Sequence, residues 1–131
     1  MLKTNEIAPI IERVDFSGHW TLVYFYPKDF TPGCTTEACS LRDNFAELQK
    51  KVTVIGVSAD SADSHAKFKA KYQLPFELIA DPDKKIIQAY GVDGLIFPKR
   101  TSFLINPQGK IAKIYEKVNP STHAAQILTD L

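Results

Sequence analysis

The sequence predicts an α/β protein, a central mixed sheet with helices on both faces. Three observations carry this. Two short, unbroken apolar runs at 21–26 and 52–58 read as strands buried on both sides. Between and after them the apolar spacing changes to threes and fours, the period of a helix. Past residue 100, two further runs flank Asn106-Pro107-Gln108-Gly109, a turn signal that joins neighbouring strands as a hairpin.

Taken in order, the run at 21–26 is closed by Pro27, which has no N–H to continue a ladder. Residues 35–51 place Ala38, Leu41, Phe45 and Leu48 at helical spacing, and 52–58 follows as the second buried strand. Residues 61–72 form an amphipathic helix with Ala62, His65 or Ala66, Phe68 and Tyr72 on one side. A brief strand at 75–79 and a short helix at 84–90, ended by Gly91, lead to the hairpin of 101–105 and 110–115. A last helix starts near Pro120-Ser121, with Ser121 as its cap, and runs to the C-terminus. The order βαβαβαββα is that of a sheet covered on both faces. Reactive groups in such sheets gather beyond the C-terminal ends of strands. Cys34 lies there after the first strand, and Ser58 with Asp60 after the second.

The totals bound the rest. A chain of 131 residues with 44% hydrophobic and 24% charged residues reads as one domain, 1–131. Such a chain buries roughly two-thirds of its unfolded surface. The net charge of +1, with no dense basic run or acidic tail, gives no reason to expect nucleic acid or an anionic membrane. Residues 1–11 contain Lys3, Glu6 and Pro9 and no long apolar run, neither a signal peptide nor a membrane span, so the expectation is a cytoplasmic protein. No repeat or low-complexity segment interrupts the chain.

The only two cysteines are Cys34 and Cys39. In a reducing compartment a close pair reads as redox or metal chemistry rather than as a scaffold. Cys34 falls where a strand has ended and a helix begins, and unpaired backbone N–H groups at a helix start favour a thiolate. Residues five apart in an intact helix are about 8–9 Å apart at Cα, whereas a disulfide needs less than about 7 Å. A Cys34–Cys39 bond therefore requires the first turn to unwind, which implies two conformations. Two blander readings stand beside this one: a static structural disulfide, and two unrelated buried thiols. Metal is disfavoured, because His19, His65 and His123 lack ligand spacing to either cysteine and read as surface or half-buried side chains.

The neighbours of Cys34 suit attack on an O–O bond, in which negative charge develops on the departing oxygen and needs donors and a cation already in place. Thr31 offers a hydroxyl, and the N–H groups of Gly33 and Cys34 are free at the helix start. Pro27 and Pro32 stiffen the loop and exclude water. Arg100, just before a strand the topology can bring alongside the first, is the candidate cation; beside Lys99 it is equally a solvated loop charge.

These residues closely resemble the peroxiredoxin family in its Q-type, or bacterioferritin-comigratory-protein, branch. The match is Pro27-x-x-x-Thr31-x-x-Cys34, with Tyr24-Phe25-Tyr26 before it and Glu37-Ala38-Cys39 after it. It continues through Leu41-Arg42-Asp43, Gly56-Val57-Ser58-Ala59-Asp60 and Arg100-Thr101-Ser102-Phe103-Leu104-Ile105, and covers roughly 19–131. The resemblance implies a thioredoxin-like fold and reduction of hydrogen peroxide and alkyl hydroperoxides. It makes Cys34 the peroxidatic and Cys39 the resolving cysteine, joined as an intramolecular disulfide. Thr31 and Arg100 become the groups that hold the peroxide, and Pro27 the proline that shields the sulfur. Neither metal nor flavin is implied, and thioredoxin or a similar dithiol protein is the expected reductant. The family is frequently monomeric. One departure stands out: Ala8-Pro9 is followed after only ten residues by Trp20, so the N-terminal hairpin is shortened or missing. That leaves open how the sheet edge there is covered, and an exposed edge favours dimers.

Two other functions fit less well. A protein disulfide oxidoreductase needs its second cysteine closer than five residues away. A non-enzymatic redox-sensing domain predicts a Cys34 no more reactive than a free thiol.

Overall fold

The structure, a computed structural model, describes residues 2–131; Met1, the first residue of the expected domain, lies outside the described residues. Its elements are β1 (Thr21–Phe25), α1 (Pro32–Asp43), α2 (Phe45–Leu48), β2 (Thr53–Ser58) and α3 (Ala62–Tyr72). They continue with β3 (Glu77–Ala80), α4 (Lys85–Ala89), β4 (Thr101–Ile105), β5 (Ile111–Tyr115) and α5 (His123–Asp130). The sheet order is β3-β2-β1-β4-β5, with β1–β2 and β2–β3 parallel and β1–β4 and β4–β5 antiparallel. This is the expected mixed sheet.

β1 is the central strand, and all five of its residues are buried. Alternation sends Leu22, Tyr24 and Tyr26 to one face, where they pack with Cys34, Ala38 and Leu41 of α1, Phe68 of α3 and Ile127 of α5. Val23 and Phe25 point to the other face, with Ile55, Ile87, Tyr90 and Phe103. Each such side chain stabilises the fold by about 1.5–3 kcal/mol when fully buried. Cys34 thus lies on the face that carries Tyr24 and Tyr26.

Three local expectations are corrected. The helix expected over 35–51 begins earlier, at Pro32, and breaks at Asn44, whose Nδ2 donates to the Ser40 carbonyl at 2.8 Å and competes with the backbone ladder. Ser121 does not cap the last helix. Its Oγ donates to Asn119 Oδ1 at 2.9 Å, and α5 starts two residues later with Thr122 at the N-cap position. His65 and His123 are buried rather than surface groups, at 4% and 0% exposure, because each meets polar partners inside the fold.

The N-terminus forms no strand before β1 among the described residues. Residues 5–8 instead lie along the start of β5. Asn5 N–H donates to Ile111 O, Ile111 N–H to Glu6 O and Ala8 N–H to Gly109 O, at 2.7, 2.9 and 2.9 Å. This short segment thereby pairs with the start of β5, through the single bridge Ile7–Lys110 and the bonds to Ile111.

Candidate active site at the start of α1

β1 and β4 are antiparallel with Phe25 opposite Thr101, so the chain leaving β1 passes the residue that enters β4. That register sets Arg100 beside the 26–34 loop. Arg100 Nη2 donates to Cys34 Sγ at 3.4 Å, and Nη1 donates to Glu37 Oε1 at 2.8 Å. Cys34 is 1% exposed, and both cysteines are free thiols. The guanidinium thus forks between a sulfur and a carboxylate one helical turn apart.

Gly33 makes room for this. A Cβ at that position would sit 2.9 Å from Arg100 Nη2, so any side chain there would force the guanidinium to shift from its present place. Thr31 is the N-cap residue of α1, yet its side chain does not cap it; Thr31 Oγ1 donates instead to Lys28 O at 2.7 Å. The hydroxyl oxygen is left as an acceptor, and the N–H groups of the first turn keep no side-chain partner. Pro27 is half-buried, while Pro32 is exposed as the first residue of α1, so only Pro27 has the burial expected of a shielding proline. Cys39 is half-buried in the unbroken helix, beside a shallow surface depression lined by Thr35, Thr36, Ser40, Asp43 and Asn44.

Glu37 was not singled out by its chemistry in the sequence, though a signal existed. It is a carboxylate on the apolar stripe that carries Cys34, Ala38 and Leu41. Its side chain is fully buried and Oε2 has no partner. Burial pushes its carboxyl up to about 7, and the Arg100 guanidinium only partly opposes the shift. Pairing alone would hold a carboxylate down, but complete burial with one oxygen unsatisfied is the larger effect. Arg100 loses some affinity for its proton through burial, yet is pushed up overall by Cys34 and Glu37.

A carboxyl raised on folding binds its proton more tightly in the native state, so its stabilising contribution is present below about 4.5 and lost as pH rises through about 7. Urea unfolding at pH 5 and pH 8 is expected to show stability falling across that window by on the order of 2–3 kcal/mol from this group. Glu37→Gln should flatten the fall; an unchanged pH dependence in the variant would show that Glu37 does not titrate there.

A second polar cluster lies on the other side of the loop. Asp29, 4% exposed, accepts from Tyr26 OH at 2.7 Å, from Ser64 Oγ at 2.8 Å and from His65 Nδ1 at 2.7 Å. Ser58 and Asp60, expected near the reactive cysteine, belong to this cluster: Ser58 Oγ donates to Asp60 Oδ2 at 2.7 Å. Ligand atoms of Asp29, Asp60 and His65 lie within 4.8 Å of one another, each already engaged in hydrogen bonds. No helix among the described residues is long and apolar enough to cross a membrane.

Residues 2–114 match the family described as the AhpC/TSA family. The chain is 44% identical over 136 residues to a putative peroxiredoxin bcp of Coxiella burnetii, covering 97% of this chain and 89% of that one. It is 43% identical over 132 residues to the peroxiredoxin Bcp of Bacillus subtilis, covering 92% and 83%. The solved bacterioferritin comigratory protein of Xanthomonas campestris superposes with a TM-score of 0.83 at 35% identity, over 88% of this chain and 79% of that one. Its thioredoxin-like sheet, the free cysteine under a guanidinium at a helix start and these relatives lead to one conclusion: the chain belongs to the AhpC/TSA family, within its Bcp/Q-type peroxiredoxins, which are thiol-dependent peroxidases.

Proposed function

We propose that this chain, working as one cytoplasmic domain, reduces hydrogen peroxide and alkyl hydroperoxides through Cys34 and is recycled by thioredoxin or a similar dithiol protein. The observation that carries the assignment is the Arg100 Nη2 to Cys34 Sγ contact of 3.4 Å at the start of α1, with a second thiol in the same helix. The Xanthomonas relative is described for its alkyl peroxide reduction activity, which supports the substrate class.

In the first step the Cys34 thiolate attacks the terminal peroxide oxygen. An S–O bond forms, the O–O bond breaks, and the departing oxygen takes a proton to leave as water or alcohol. Arg100 and the free N–H groups of Gly33 and Cys34 face the developing charge, and the Thr31 oxygen accepts from the peroxide O–H. The first turns of α1 then unwind, the Cys39 thiol displaces water from the Cys34 sulfenic acid, and an S–S bond forms. Two electrons and two protons from the external dithiol restore both cysteines. No step calls for a metal or flavin, and both thiols that act belong to one chain, whether it works as a monomer or within a dimer.

Cys39→Ser is expected to undergo one oxidation of Cys34 at close to the parent rate and then to lose at least about 90% of thioredoxin-driven turnover. Stopped-flow oxidation and a thioredoxin-coupled assay check the two rates, and mass spectrometry of tryptic peptides after one equivalent of peroxide identifies the products. The parent gives a 34–39 bridge and the variant a sulfenic acid on Cys34. A parent oxidised without that bridge excludes Cys39 as the resolving thiol.

A further inference from the structure

The peptide joining Lys28 to Asp29 is held at both ends. Its N–H donates to Asp60 Oδ2 at 2.9 Å, and its C=O accepts from Thr31 Oγ1 at 2.7 Å. A peptide group is planar, so fixing the N–H direction fixes the C=O direction too. Whatever holds Asp60 therefore sets where the Thr31 hydroxyl points.

Asp60 is itself well held. Its Oδ2 takes the Ser58 Oγ hydrogen bond at 2.7 Å, and its own N–H donates to Ser58 Oγ at 3.2 Å. Behind it the Asp29 carboxylate is pinned by Tyr26, Ser64 and His65, whose other ring nitrogen faces Ile79 O at 3.1 Å. The brace reaches from β1 across the end of β2 to α3 and β3. It also offsets a local cost, since Phe30 between Asp29 and Thr31 holds a left-handed φ of 65°. The Phe30 ring is packed edge-on to Phe68 of α3 at a centroid distance of 5.1 Å.

We propose that Asp60, backed by the buried Asp29–His65 pair, is a positioning group for the peroxide, acting through the Lys28–Asp29 peptide on the Thr31 hydroxyl. It touches neither the peroxide nor Cys34. This rests on the function proposed above, in which Thr31 accepts from the peroxide O–H. Without Asp60 the peptide loses the anchor on its N–H, its carbonyl tilts and Thr31 with it, and the acceptor is misaligned while the sulfur keeps Arg100.

The test compares two electrophiles. Peroxide needs Thr31, whereas iodoacetamide reads Cys34 nucleophilicity without it. Asp60→Ala should lower the second-order rate of Cys34 oxidation by hydrogen peroxide about tenfold and leave alkylation within about twofold. Asp60→Asn, which keeps an oxygen for the Asp29 N–H, should restore most of the lost rate. In a Thr31→Val background, Asp60→Ala should have no further effect on peroxide. His65→Asn, whose amide N–H can replace the Nδ1–H facing Asp29, should likewise outperform His65→Ala.

Equal losses towards both electrophiles, or additive effects of Asp60→Ala and Thr31→Val, would overturn the positioning role even if Cys34 proves to be the peroxidatic residue. Peroxide turnover surviving Cys34→Ser would instead overturn the function on which it rests. Rates are read at a temperature where circular dichroism shows each variant folded, so a fall in melting temperature alone does not enter the comparison.

Discussion

Cys34→Ser is expected to bring peroxide consumption down to the uncatalysed background, a loss of at least about four orders of magnitude. A serine hydroxyl is not ionised at neutral pH, and its oxygen is a poor nucleophile towards an O–O bond. The substitution removes one buried sulfur and inserts a slightly smaller hydroxyl beside Arg100, so the fold should persist. Direct measurement of peroxide loss, with thioredoxin and its reductase supplying electrons, checks the prediction. Turnover that persists in the serine variant would move the chemistry to another residue, and Cys39 offers the only other thiol.

Arg100→Met carries the second large effect. Loss of one preorganised donor to a developing charge costs about 10²–10³ in rate, and Arg100 is the one cation in contact with the sulfur among the described residues. Stopped-flow oxidation of Cys34 should slow by that factor. The substitution also strands Glu37 in the core without its partner. The carboxyl then takes up a proton more readily, and its buried Oε1 loses the hydrogen bond that satisfied it, which is destabilising. Arg100→Met combined with Glu37→Gln separates the two consequences. It should recover stability over the single variant while oxidation stays slow. A rate that recovers along with stability would mean that Arg100 acts only by holding α1 in place.

The fold was largely legible because its strands are buried on both faces. A run such as Thr21 to Tyr26 has no polar alternative, and the Asn106–Gly109 turn closes its hairpin with Gly109 at a φ of 78°. What escaped depended on hydrogen bonds between residues distant in sequence. The break at Asn44 is set by one amide reaching back to Ser40, which periodicity does not register. His65 and His123 look like ordinary polar residues on amphipathic helices until Asp29 and Ser102 meet them across the core. At the site, Arg100 was a candidate cation on charge demand and strand order and equally a solvated loop charge, and the register of β1 against β4 is what brings it into contact with Cys34. The partners of each were harder to find. Glu37 betrayed itself only as an acid on an apolar stripe, and the link from Asp60 to Thr31 runs through a main-chain group whose orientation no side-chain pattern encodes.

Both thiols ride on one continuous helix, so if Cys39 resolves Cys34 as proposed, order in α1 and oxidation state oppose each other. In the proposed cycle, every hydrogen bond that tightens those twelve residues would delay closure of a 34–39 bridge and prolong the sulfenic acid, the species open to further oxidation by a second peroxide. The same tightening pulls the bridged form back towards two thiols, since reduction lets the helix reform. Helix stability thus sets both how long the oxidised sulfur stays vulnerable and how readily the enzyme accepts electrons.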